Sequence, residues 1–197
     1  MAGKKQFDVE VALDAAMVQF WRAGYADTSV DDLSRATGLN RSSIYSSFGD
    51  KDALFLRCLE RYAARYGSRY DQALSRTSEE PLQAVRAFFE VTLRRIADPD
   101  VPDGCLMAQT AMAAPVLSPA IAARAAEALG LQRARLRTAL NTTRLAGRRA
   151  DDFAVHLAAV NQSLAVLSRT GASREELRTV IDISVSALSH ALDDRSR

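Results

Sequence analysis

The chain has few of the residues that staple, ligate or break a fold. Two cysteines in 197 residues, Cys58 and Cys105, make no disulfide framework. Two histidines, His156 and His190, have no cysteine or histidine at zinc-ligand spacing, so no metal or other cofactor is expected. The single tryptophan, Trp21, is read as core. No apolar run is long enough to span a bilayer and no charged-apolar-small leader opens the chain, so the expected compartment is the cytoplasm, with no membrane partner. There is no phosphate-cradling glycine loop, no paired Glu-x-x-His motif and no Ser/His/Asp pattern, which speaks against an enzyme built on a helical bundle. Net charge is also small, +2 with a pI of about 8.7, so a nucleic-acid binder would be recognised here by where its charge sits.

What remains is helical. No alternating strand pattern, repeat or low-complexity tract occurs, and 48% hydrophobic with 25% charged residues is an ordinary globular composition. The informative stretch runs from Thr28 to Phe48, TSVDDLSRATGLNRSSIYSSF. Val30, Leu33 and Ala36 share one face, Ser29 is a natural N-cap, and Asp31 and Asp32 suit the positive end of the helix dipole. Gly38 breaks that helix, Leu39 plugs the turn and Asn40 caps a second helix, Arg41 to Phe48. Ile44 and Phe48 turn inward, which leaves Arg41, Ser42, Ser43, Tyr45, Ser46 and Ser47 outside. That outer face hydrogen-bonds and stacks but carries no carboxylate, as a surface meeting phosphates requires. Two short helices about a glycine turn describe a helix-turn-helix.

Continuing as GDKDALFLRCLERY, the run from Phe7 to Leu59 resembles the DNA-binding domain of the TetR/AcrR family of bacterial transcriptional repressors. The most distinctive part is Tyr45-Ser46-Ser47-Phe48-Gly49-Asp50-Lys51-Asp52. The resemblance implies an all-α chain, with a three-helix DNA-binding domain in residues 1–50 and a ligand-binding and dimerisation bundle in residues 51–197. By residue-wise match, Arg41, Ser42, Ser43, Tyr45 and Ser46 should face the major groove, while Thr28, Ser47 and Lys51 should hold phosphates. Lys51, a cation in the first turn of its helix, gains by meeting an outside anion. The partner implied is double-stranded DNA, read as a pseudo-palindromic operator by a two-fold dimer and released by a small-molecule inducer.

Elsewhere, about nine helices are expected. Phe7, Val11, Ala15, Val18 and Trp21 make the stripe of the first, widened by Phe20; Lys4 and Lys5 precede it in a basic arm. Asp50 or Gly49 caps a fourth helix towards Tyr70, in which Arg57, Arg61, Arg65 and Arg69 form a stripe read as a solvated face. Ser78 with Pro81 starts a fifth helix to Ala97, and Asp98 to Gly104 is the one real loop. Cys105 to Ala114 is short and apolar, ended by Pro115; Ser118-Pro119 opens a helix to about Thr143. After a basic turn at Gly147 come Asp151 to Thr170 and Ser173 to Asp193, the latter opened by a Ser173/Glu176 capping box.

The last two helices carry Phe153, Leu157, Val160 and Leu164 on one, Leu177, Val180, Ile181, Ser184 and Leu188 on the other, more apolar surface than one core needs. By resemblance, this pair forms a four-helix bundle with its copy. The middle segment is the expected inducer site, with Phe88, Phe89, Leu93, Met107 and Met112 as apolar lining and Gln109, His156 and Asn161 as polar groups, pointing to a lipophilic or aromatic ligand. Cys105, in the first turn of its helix, admits a second reading as a thiol-based sensor, beside that of a small buried residue. A structural dimer without DNA binding is the remaining alternative from a different class.

Overall fold

The computed structural model describes residues 7–145 and 147–194; the basic arm with Lys4 and Lys5 lies outside them. Among the described residues the chain folds into α1 (Val9–Ala23), α2 (Val30–Thr37), α3 (Arg41–Phe48), α4 (Lys51–Leu74), α5 (Pro81–Ile96), α6 (Leu106–Met112), a 3-10 turn (Ala114–Val116), α7 (Pro119–Leu140), α8 (Arg148–Arg169) and α9 (Arg174–Asp193), with no strand.

Local signals start and stop the short helices as expected. The Ser29 hydroxyl accepts from the Asp32 amide at 3.1 Å while the Asp32 carboxylate accepts from the Ser29 amide at 2.8 Å, a reciprocal cap worth about 1 kcal/mol. Gly38 takes φ 70°, ψ 11°, the left-handed geometry that lets α2 end and α3 begin within three residues. Asn40 accepts from the Ser43 amide and Asp50 from the Ala53 amide, each at 2.8 Å. Ser173 and Glu176 form the expected capping box.

Several boundaries and faces differ from expectation. The buried face of α1 is Ala12, Leu13, Ala16, Met17, Phe20 and Trp21, while Val11 is 64% exposed. A single stripe was the wrong model because α1 packs on both α2 and α4, so adjacent pairs of positions turn inward. Glu80, not Ser78, is the N-cap of α5, since the chain makes two further turns around Thr77 before Pro81 can enter. Cys105 is the N-cap of α6 and not in its first turn, and Pro115 sits inside the 3-10 turn. α7 ends at Leu140, where Thr142 and Thr143 hydroxyls take up carbonyls of Ala139 and Leu140 at 2.7 Å each. α8 begins at Arg148, so the expected basic turn is its first turn.

α4 organises the molecule. Its first turns pack on α1 and α3, and its remainder packs on α5, α6 and α7. The arginine stripe of α4 is not merely solvated. Arg61 binds Asp14 through Nε at 2.6 Å and Nη2 at 2.7 Å, Arg65 reaches the same carboxylate, and Arg57 stacks on Phe48 at 5.1 Å. The Arg61 bond is the largest influence holding the Asp14 carboxyl below its usual range. Two helices of the head, α1 and α3, are thereby braced on α4.

Candidate nucleic-acid interface and ligand cavity

α3 is anchored from beneath by Ile44 and Phe48, 2% and 4% exposed, so its opposite side faces solvent. Arg41, Ser42, Tyr45 and Ser46 lie on that side, with Tyr45 half exposed; Ser43 and Ser47 are partly covered. The Ser47 carbonyl accepts from Arg57 at 3.2 Å, which ties the end of α3 to α4. Lys51 lies 4.2 Å above the Tyr25 ring, and burial is the main cause lowering its pKa. Tyr25 donates to Asp52, and its own phenol is pushed up to about 12, by burial first and by that carboxylate second. Thr28 departs from expectation: it is fully enclosed, and its hydroxyl donates to the Gly24 carbonyl at 2.6 Å. Such a hydroxyl closes the turn before α2 and is not presented to a phosphate.

Arg41 is not idle. Its Nε donates to Asp31 Oδ1 at 2.7 Å and its Nη2 to Oδ2, a two-pronged pair linking α2 to α3, and this bond holds the Asp31 carboxyl below the usual range. Both groups are exposed, so the pair adds little stability, but it offers DNA a guanidinium already shared with a carboxylate. Asp31→Asn is therefore expected to tighten binding to unrelated duplexes severalfold and to steepen the salt dependence, read by anisotropy titrations at several salt concentrations. Uniformly weaker binding would instead make Asp31 the residue that orients Arg41.

In the bundle, the residues expected to hold a ligand separate. Cys105 and Met107 border a cavity of about 70 Å³ between α4, α6 and α7. Phe88, Phe89 and Leu93 are closed into the core, Phe88 lying 4.8 Å from Tyr70. Asn161 is satisfied: its Oδ1 accepts from Thr92 at 2.7 Å, and the Thr92 and Tyr70 hydroxyls are 2.8 Å apart. Gln109 pairs with Arg169, and Met112 and His156 are exposed, so none of these four polar or flexible groups borders the cavity. The walls that sequence reasoning missed are Tyr62, Tyr66 and Tyr70, whose i, i+4 spacing along α4 was the available signal. The Tyr62 hydroxyl donates to Cys105 Sγ at 3.4 Å. Cys58 is buried against α1, and its thiol is pushed up chiefly by that burial.

Of the expected interface residues, Leu157, Leu164, Leu177, Ile181, Ser184 and Leu188 are buried within one chain, and Phe153, Val160 and Val180 are half-buried. α8 and α9 use those stripes against α5, α7 and each other. Their outer side presents Val155, Val166 and Ile183 at 52%, 50% and 67% exposure. These residues sit at helical intervals with exposed Ala159 and Ala187.

A three-helix head with an exposed, carboxylate-free third helix, carried on an all-helical bundle, defines a helix-turn-helix DNA-binding protein. Residues 12–58 match the model of bacterial regulatory proteins of the tetR family, and residues 81–183 match that of the LmrA/YxaF-like transcriptional regulator C-terminal domain. The chain belongs to the TetR family of bacterial regulatory proteins and is a transcriptional regulator, not an enzyme. It is 35% identical to the transcriptional repressor ComR of Escherichia coli over 103 residues, 52% of this chain and 49% of that protein. It is 27% identical to the regulator YezE of Bacillus subtilis over 95% of this chain and all of that one. Among solved structures, a cysteine mutant of the TetR family regulator CifR in complex with a 26-base-pair operator superposes with a TM-score of 0.79 at 25% identity, covering 93% of this chain and 98% of that one. No described helix is long and apolar enough to cross a membrane.

Proposed function

We propose that the protein is a cytoplasmic, homodimeric repressor that reads an inverted-repeat operator and leaves it when a small molecule enters the bundle. The carrying observation is α3, whose Arg41, Ser42, Tyr45 and Ser46 project from a helix fixed by two buried anchors. Residues 1–50, with Lys51 at the start of α4, supply the DNA contacts and the rest of residues 51–197 the response; α4 packs on both sides of that division and transmits between them. Ser43, Ser47 and Lys51, which are partly covered, are the proposed phosphate contacts, Lys51 from its place over the Tyr25 ring. The CifR complex with operator DNA and the repressor ComR support this reading.

The partner copy docks on the outer stripe of α8 and α9, centred on Val155, Ala159, Val166, Ile183 and Ala187, which a single chain leaves uncovered. A ligand changes operator affinity only through its different affinity for the two spacings of the recognition helices. Ile183→Asp places a charge in that face without touching the core. Light scattering should show the dimer becoming a monomer, with operator affinity falling by more than about 100-fold because one half-site is lost. An unchanged dimer would move the interface elsewhere.

A further inference from the structure

The half-enclosed cavity between α4, α6 and α7 shares two wall residues, Leu131 and Arg135, with a cleft of about 470 Å³ between the end of α4 and α7. Arg135 stands where the two spaces adjoin, its Nε donating to Asp71 at 2.7 Å across the gap between the helices. Gly67 makes room for that pose: a Cβ there would lie 2.9 Å from Arg135 Nη2, so the guanidinium rests on a bare turn of α4. The two side chains are 29% and 58% exposed, so their pairing is weak and opens readily. Among the described residues of the cavity wall, Arg135 is the only charged one, and Asp71 already answers it. Tyr62 and Tyr66 present rings 4.6 Å apart, and burial raises both phenols above their ordinary value, so both are neutral at pH 7. The Tyr62 hydroxyl is spent on Cys105, and that of Tyr70 lies 2.8 Å from Thr92. Gln132 Oε1, by contrast, is buried in this wall without a partner. A buried acceptor with nothing to accept is unfavourable, and a ligand that brings a donor relieves it.

We propose that this cavity is the inner end of a receptor for a small neutral aromatic compound bearing a hydroxyl group, a phenol or an aryl alcohol. Its ring lies against Tyr62 and Tyr66, and its O–H donates to Gln132 Oε1. The inference rests on the ligand-responsive reading above and gives the chemical class of the effector. A buried charge needs a partner, and this wall has none free: the lone acceptor turns a carboxylate away, and the guanidinium at the entrance turns an ammonium away. A benzene-sized ring needs roughly 150 Å³, more than the cavity's 70 Å³. The ligand therefore enters as Arg135 leaves Asp71, which joins the inner space to the outer cleft. Position also supplies the link to DNA. Tyr62 packs edge-on against Trp21 of α1 at 5.1 Å, so a ring pressing on Tyr62 also presses on the head.

Thermal unfolding at constant ionic strength tests this with benzyl alcohol, toluene, sodium benzoate and benzylammonium chloride. Benzyl alcohol should raise Tm saturably, and the two ions should not. In Gln132→Leu the preference for benzyl alcohol over toluene should fall about fivefold. That variant should unfold no lower than the parent without ligand, because an unpartnered acceptor has been removed. Asp71→Asn, a change at an exposed side chain outside the inner wall, frees Arg135 and should tighten benzyl alcohol by up to about fivefold. No saturable shift, equal shifts for the alcohol and the ions, a preference unchanged in Gln132→Leu, or weaker binding in Asp71→Asn would each overturn the proposal. Capture of genomic DNA by the same preparation separates the two readings. Specific fragments retained without an alcohol effect leave the repressor and remove the site; a Gln132-dependent shift without specific fragments does the reverse.

Discussion

Tyr45→Ala is expected to lower operator affinity about 100-fold, since a base-facing contact worth ~1.4 kcal/mol is lost once in each half-site of a symmetric dimer. Tyr45 is 50% exposed and none of its ring contacts holds the core, so Tm should stay within the small range typical of surface substitutions. Comparing the captured operator with a scrambled duplex decides what the ring does. A loss confined to the operator means that it meets a base; equal loss on both duplexes means that it meets the backbone.

The largest stability effect is expected at Trp21. It is fully buried, packs edge-on against Tyr62 at 5.1 Å, and is hydrogen-bonded to the Asp103 carbonyl. Truncation to alanine leaves a large cavity where α1, α4 and the loop before α6 meet, and should cost about 4 kcal/mol. For a chain of this length that is a fall in Tm of roughly 8–16 °C. Trp21→Phe keeps most of the packing and loses the indole donor, so its fall should be well under half as large. Equal losses for the two variants would make the hydrogen bond to Asp103, and not the packing, the decisive contact.

The order and kind of the helices were legible in the sequence because they rest on local chemistry. Ser29 with Asp32, Gly38, Asn40 and Asp50 each fix a helix end through atoms within three residues, and such signals survive any tertiary arrangement. Recognition of the family came from the same short-range region. Faces were less legible. A helix with two neighbours buries pairs of positions, so α1 was read on Val11 when its inward residues are Ala12, Leu13, Ala16 and Met17. The same difficulty governs α8 and α9: their strongest apolar stripes serve the chain's own core, and the weaker stripe through Val155, Val166 and Ile183 faces outward.

The cavity in the bundle was the least legible part. Phe88, Phe89, Leu93 and Asn161 are conspicuous by type, but a single chain satisfies them completely. The cavity is defined instead by three tyrosines from α4, a glutamine from α7 and the thiol of Cys105, which meet only when helices distant in sequence pack. Arg95 stands in the last turn of α5, where the dipole favours a cation, and its burial is visible only in three dimensions. Thr28 was misplaced for a related reason, because its hydroxyl has a carbonyl partner one turn back.

The central claim is that this protein is a sequence-specific repressor, and capture of sheared genomic fragments at near-physiological salt tests it most directly. The account predicts that a few fragments sharing an inverted repeat are retained, and that Ile183→Asp loses them. Retention of nothing, or of every fragment alike in a strongly salt-sensitive way, would contradict it.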